Sequence, residues 1–117
     1  MTLGWKLDRD QRDTLLAALP PRYEIAVADH VTLSVSGTGL PDPVSTAQII
    51  GRADDGSGVE AYVVAIDGTT HRPGGGTWHI TWSLAEGRAA KESNDVIAAL
   101  GWTSVPAISL KLTPAHW

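Results

Sequence analysis

His30-Val31-Thr32-Leu33 and His79-Ile80-Thr81-Trp82 carry the same four-residue pattern, histidine, apolar, threonine, apolar, 49 positions apart. Both lie in stretches whose residues favour extended chain, and in a strand positions i and i+2 share a face. His30 and Thr32 therefore go together, with Val31 and Leu33 behind them. His79 and Thr81 go together in the same way, with Ile80 and Trp82 behind. Each strand offers an imidazole and a hydroxyl on one side and a core-forming surface on the other. With eleven threonines and four histidines in the chain, two full matches arise by chance at roughly 0.002. A lone His-x-Thr is an ordinary surface pair; two with matching flanks form a constellation.

Outward from these strands the pattern is α+β. Asp8 is a candidate N-cap for a helix with apolar positions at Leu15, Leu16 and Leu19, stopped by Pro20-Pro21. Residues 23–36 favour strand, with clear alternation from Ala28. Gly37 to Pro43 is a loop. Residues 44–52 form the next expected strand, followed by a hairpin turn at Asp54-Asp55-Gly56-Ser57-Gly58. Residues 59–66 are apolar on both faces except Glu60 and Tyr62, which predicts a central strand. After Asp67-Gly68 comes His71-Arg72-Pro73-Gly74-Gly75-Gly76, a flexible loop, and then a strand over 77–84. A second helix begins near Ser93 or earlier, with Ser93 as a candidate cap, and ends at Gly101. An edge strand over 106–112 closes the chain, with Pro114 beyond it. The expectation is one domain spanning residues 1–117, with about five antiparallel strands and two helices.

Composition narrows the chemistry. The chain has 117 residues, no cysteine and a formal net charge of -4. Disulfides, thiolate zinc sites and cysteine nucleophiles are excluded, and a broad basic surface for long duplex nucleic acid is disfavoured. No apolar run approaches the ~20 residues of a membrane span, and the first residues lack a signal-peptide core. A monomeric cytoplasmic protein without membrane association is the expectation. The glycine run 74–76 lacks the spacing of a phosphate-binding P-loop and leads into a strand. Asp54 and Asp55 lack the remaining ligands of a calcium loop. His71 and His116 fall outside the repeated pattern and read as exposed.

Paired imidazoles suit the opening of a cyclic phosphodiester by water. One group must take a proton from water while another gives one to the leaving alkoxide, and imidazole serves both roles near neutral pH. Hydroxyls of Thr32 and Thr81 are candidate donors to the non-bridging phosphate oxygens. This chemistry calls for no metal or other cofactor. Arg72, on the glycine loop, is a candidate phosphate contact or a plain surface arginine. Tyr23, Trp5 and Trp102 are candidates for stacking a nucleobase, or simply half-buried aromatics. Trp78, Ile80 and Trp82 lie on the face away from His79 and read as core.

On the two His-x-Thr-x motifs the chain resembles the two-histidine (2H) phosphoesterase superfamily, whose members are defined by such a pair. The element order is similar over residues 1–112. The stretch 76–95, with Ser93-Asn94 after the second motif, looks most like the cyclic phosphodiesterase domain of fungal tRNA ligases. The resemblance implies a bilobal α+β fold with pseudo-two-fold symmetry, in which two small antiparallel sheets flank a catalytic groove with helices outside. It implies catalysis by His30, Thr32, His79 and Thr81, with His79 as base and His30 as acid. The implied partner is a nucleotide or RNA end bearing a 2′,3′-cyclic phosphate, opened to a 2′-phosphate. The close spacing of the motifs departs from the family and implies trimmed loops and a more open groove. Two alternatives stay open: cleavage of 2′-5′ linkages or a cyclic oligonucleotide messenger by the same groups, and a nucleotide-binding module without turnover.

Overall fold

A computed structural model describes all residues, 1–117. In chain order the elements are β1 (Leu3–Leu7), α1 (Arg9–Ala18), β2 (Ile25–Ala26), β3 (His30–Ser34), β4 (Ala47–Asp54), β5 (Val59–Ile66), β6 (His79–Leu84), α2 (Glu92–Leu100), β7 (Thr103–Ser109) and β8 (Leu112–His116). They form two antiparallel sheets, β3-β1-β8 and β2-β6-β5-β4-β7, with the two helices packed against them. The α+β expectation stands, with eight strands in place of about five.

Several local expectations hold. The Asp8 carboxylate accepts from the Gln11 amide at 2.9 Å and caps α1. Strand β5 is buried along nearly its whole length at the centre of its sheet. The Asp54–Gly58 turn is closed by the Asp54 and Asp55 carboxylates on backbone amides of Gly56, Ser57 and Val59. Trp78, Ile80 and Trp82 lie in a core shared by both sheets and α1, together with Trp5, Leu7, Leu15, Val31, Ile49 and Tyr62. A second core, including Val59, Ala61, Val63, Val96 and Ile97, joins the opposite face of the larger sheet to α2.

Three expectations change. The continuous strand over 23–36 is broken at Ala28, whose φ is 40°. The Val27 and Ala28 amides still donate to β6, at Trp82 and Thr81; the chain then leaves that sheet and enters the smaller one as β3. The final strand is two strands, β7 and β8, on different sheets. Between them Leu110 bonds Ala47, and the Lys111 carbonyl accepts from the Asp8 amide. Pro114 sits inside β8 instead of beyond it, which an edge strand tolerates because an outward N–H is dispensable. Finally, β1 was not anticipated at all. It is the middle strand of the smaller sheet, and its five residues (Leu3-Gly4-Trp5-Lys6-Leu7) are too few to declare a periodicity.

Candidate active site

His30 opens β3 and His79 opens β6, so each motif histidine comes from a different sheet. Both line one open groove of about 520 Å³. Thr32 and Ser34 continue the wall from β3, because residues two apart share a face there, while Val31 is fully buried behind them. The other wall comes from the glycine loop, with Arg72 and Gly74, and from the start of α2, with Lys91 and Asn94. Gly74 and Gly75 have φ of 87° and 116°, a conformation that favours glycine and folds the loop back beside the groove. Arg72 is held there by its Nε on the Gly75 carbonyl (3.0 Å) and an Nη2 contact to Asn94 Oδ1 (3.1 Å).

The two imidazoles sit in unlike settings. His30 Nδ1 lies 3.0 Å from Asp29 Oδ2. That carboxylate is also bound by Lys6 and, at 3.0 Å, by Arg9 Nη1. Burial alone would raise the Asp29 pKa, but hydrogen bonds from Lys6, His30 and Arg9 outweigh it and hold the carboxyl far below its usual range. His30 therefore stands against a permanent anion.

His79 Nδ1 instead donates to the Thr77 carbonyl at 2.8 Å, which assigns the proton to Nδ1 and the lone pair to Nε2. Burial lowers the His79 pKa, the Thr77 bond opposes this, and the nearby Arg72 and His30 lower it further. His79 is thus neutral at pH 7, with Nε2 as a free acceptor. Neither Nε2 has a protein partner.

The remaining expected residues divide. Thr32 is half-buried on the groove wall with its hydroxyl unengaged, and Arg72 is in the groove. Thr81 departs from expectation: it is buried beneath α2, its hydroxyl 3.2 Å from the Ala90 carbonyl and 2.8 Å from Ser93 Oγ. Its proton is used on that carbonyl and it accepts from Ser93, so the pair ties β6 to the start of α2. Ser93 lies in the first turn and does not cap the helix, whose N-cap position is Lys91, without a side-chain cap; ahead of it the Glu92 carboxylate accepts from the Ala89 amide at 2.7 Å.

The stacking candidates are elsewhere. Trp5 is buried in the shared core, edge-on to Trp78 at 5.5 Å, with its indole N–H on the Asp42 carbonyl. Tyr23 donates to Asp54 Oδ1 at 2.7 Å within a separate charged cluster. Trp102 packs over Gly51. His71 and His116 are exposed, as expected.

Asp29, which anchors His30 through Nδ1, and Trp117, which lines the groove, escaped the sequence reading. Asp29 directly precedes a motif histidine, and that adjacency was an available signal. Trp117 lies far from either motif, and only the pairing of β8 with β1 brings it in. No three histidine, aspartate or glutamate side chains converge to hold a metal ion, and no helix is long and apolar enough to cross a membrane. Compared with protein-family models, curated proteins and solved structures, the chain matches none.

Proposed function

We propose that the groove hydrolyses a phosphodiester without a metal, acting on a nucleoside or RNA-terminal 2′,3′-cyclic phosphate. The observation behind this is that two imidazoles from different sheets line one groove, each anchored through Nδ1 with Nε2 free, one against a carboxylate and the other neutral. That asymmetry is what an acid and a base require.

His79 Nε2 takes a proton from water as the water oxygen bonds to phosphorus. The bond from phosphorus to O3′ breaks, and the leaving oxygen takes the proton from Nε2 of His30, whose Nδ1 is held by the Asp29 carboxylate. One water is added, a 2′-phosphate results, and the two imidazoles exchange their proton through solvent. Thr32 donates to a non-bridging oxygen from one side. Arg72 and Lys91 supply positive charge from the other, in place of Thr81, whose hydroxyl is already engaged. On this reading the sheets are unequal lobes of a pseudo-two-fold 2H phosphoesterase plan, each contributing one His-x-Thr strand.

The test is hydrolysis of a panel of 2′,3′-cyclic nucleotides in EDTA, with 2′- and 3′-phosphates separated by chromatography. Wild type should turn over, and His30→Ala and His79→Ala should each lose at least about 10²-fold. Absence of turnover by the folded wild type, or activity surviving in both variants, would overturn the proposal.

A further inference from the structure

Trp117 is a large side chain placed where a ligand would meet it. The backbone pairing of Trp117 with Thr2 continues the β8–β1 register. By alternation its side chain then projects from the same face of the smaller sheet as Gly4, Lys6 and Ala115. This is also the face of His30 and Thr32, which stand opposite Lys6 and Gly4 in β3. The indole lies across that face above Gly4: a Cβ at Gly4 would come within 3.1 Å of the ring carbon Cη2 and 2.1 Å of the Val31 carbonyl. The close approach of the Val31 carbonyl is what requires glycine here, and the bare position also leaves room for the ring above it.

Two further contacts hold the ring. The His30 imidazole is 4.5 Å away, centroid to centroid, and tilted by 55°. Lys6 Nζ is 4.5 Å from the ring centroid. Lys6 is in turn fixed by Asp29, so the same network that anchors His30 also fixes the indole. Yet 37% of Trp117 remains exposed, and it lines the groove beside His30 and Thr32.

We infer that Trp117 is a nucleobase platform, a binding subsite that engages the base of the nucleotide whose phosphate lies between His30 and His79. This rests on the phosphodiesterase reading of the groove. Stacking on an aromatic ring is available to every base, because each has a π-face. A ring so close to His30 is within one nucleoside of a phosphate held there. The platform makes the substrate class a nucleotide or RNA end, and disfavours cyclic phosphates on a bare sugar.

The experiment compares two product-like ligands, adenosine 2′-phosphate and methyl riboside 2′-phosphate, which lacks the base, by calorimetry on wild type, Trp117→Ala and Trp117→Phe. Turnover of the two corresponding 2′,3′-cyclic phosphates is measured in parallel. The expected result is at least tenfold tighter binding of the adenosine ligand by wild type, lost in Trp117→Ala and largely kept in Trp117→Phe. The Trp117→Ala variant should also show a raised KM for the adenosine substrate alone. Equal binding of both ligands by wild type, or no binding of either, would overturn the platform. An equal loss of kcat on both substrates in Trp117→Ala, with no base-dependent change in binding, would make the ring a prop for His30 and overturn it too. Base-dependent binding through Trp117 without any hydrolysis would keep the platform and remove the phosphodiesterase reading instead.

Discussion

Arg72 touches both the electrostatics and the shape of the groove. Its guanidinium is close enough to contribute to the depressed pKa of His79, after burial and against the Thr77 hydrogen bond. Lowering that pKa keeps the imidazole a free base into more acidic solution, so the acid limb of the kcat/KM profile should lie below the ordinary imidazole value of about 6.5. Replacing Arg72 by glutamine removes a cation that disfavours protonation, and the limb should move to higher pH. A pH–rate profile of Arg72→Gln against wild type checks this; an unmoved limb would mean that Arg72 acts on the phosphate alone. The residue scale is also where sequence reading did best. The i, i+2 rule correctly sent Val31, Ile80 and Trp82 to the core and left both histidines on the groove. It missed the engagement of Thr81, because the Ser93 hydroxyl that meets it lies on a helix and no strand rule specifies a helix's position.

At the scale of elements, α1 is the clamp that sets the relation between the two histidines. Of the chain's four passages between the sheets, the two shortest are at Val27–Asp29 and at Leu110–Lys111. Arg12 donates from Nε to the Ala28 carbonyl (2.8 Å) and from Nη2 to the Val27 carbonyl (2.9 Å). Its neighbour Gln11 brackets the other passage, with Nε2 on the Ser109 carbonyl and Oε1 accepting from the Lys111 amide, both at 2.7 Å. The first passage includes Ala28, buried and in the left-handed region, which costs an L-residue on the order of 1–2 kcal/mol. Charge-assisted bonds from Arg12 offset that cost. Arg12→Met keeps much of the stem but strands the two carbonyls, so it should destabilise the fold by about 1–3 kcal/mol in urea titration. Because His30 follows this kink by two residues, activity should fall more than the unfolded fraction explains. Loss of stability with unchanged specific activity would show that the kink is held by other means.

Across the whole molecule, the polar networks make stability depend on pH. Asp54 accepts from Tyr23, Arg22, Arg52 and the Gly56 amide. Burial raises its pKa, but the bonds from Tyr23, Gly56 and Arg22 outweigh burial and bring it to about 2. A carboxyl depressed in the folded state contributes its stabilisation above its unfolded value, 3.8, and loses it as pH falls toward about 2. That contribution is about 2 kcal/mol. Urea midpoints measured from pH 5 to pH 2 should fall steeply for wild type and less steeply for Asp54→Asn; parallel curves would remove Asp54 as a source of acid sensitivity. Two-residue periodicity, turn composition and capping were enough to identify an α+β domain, the central strand, both helices and the two histidine strands, because those signals are short-range. Short-range signals do not say which sheet a strand joins. The break at Ala28, the pairing of β1 with β8, the burial of Trp5 and the arrival of Trp117 beside His30 all depend on contacts between residues far apart in the chain. Those contacts exist only once the core shared by the two sheets has formed.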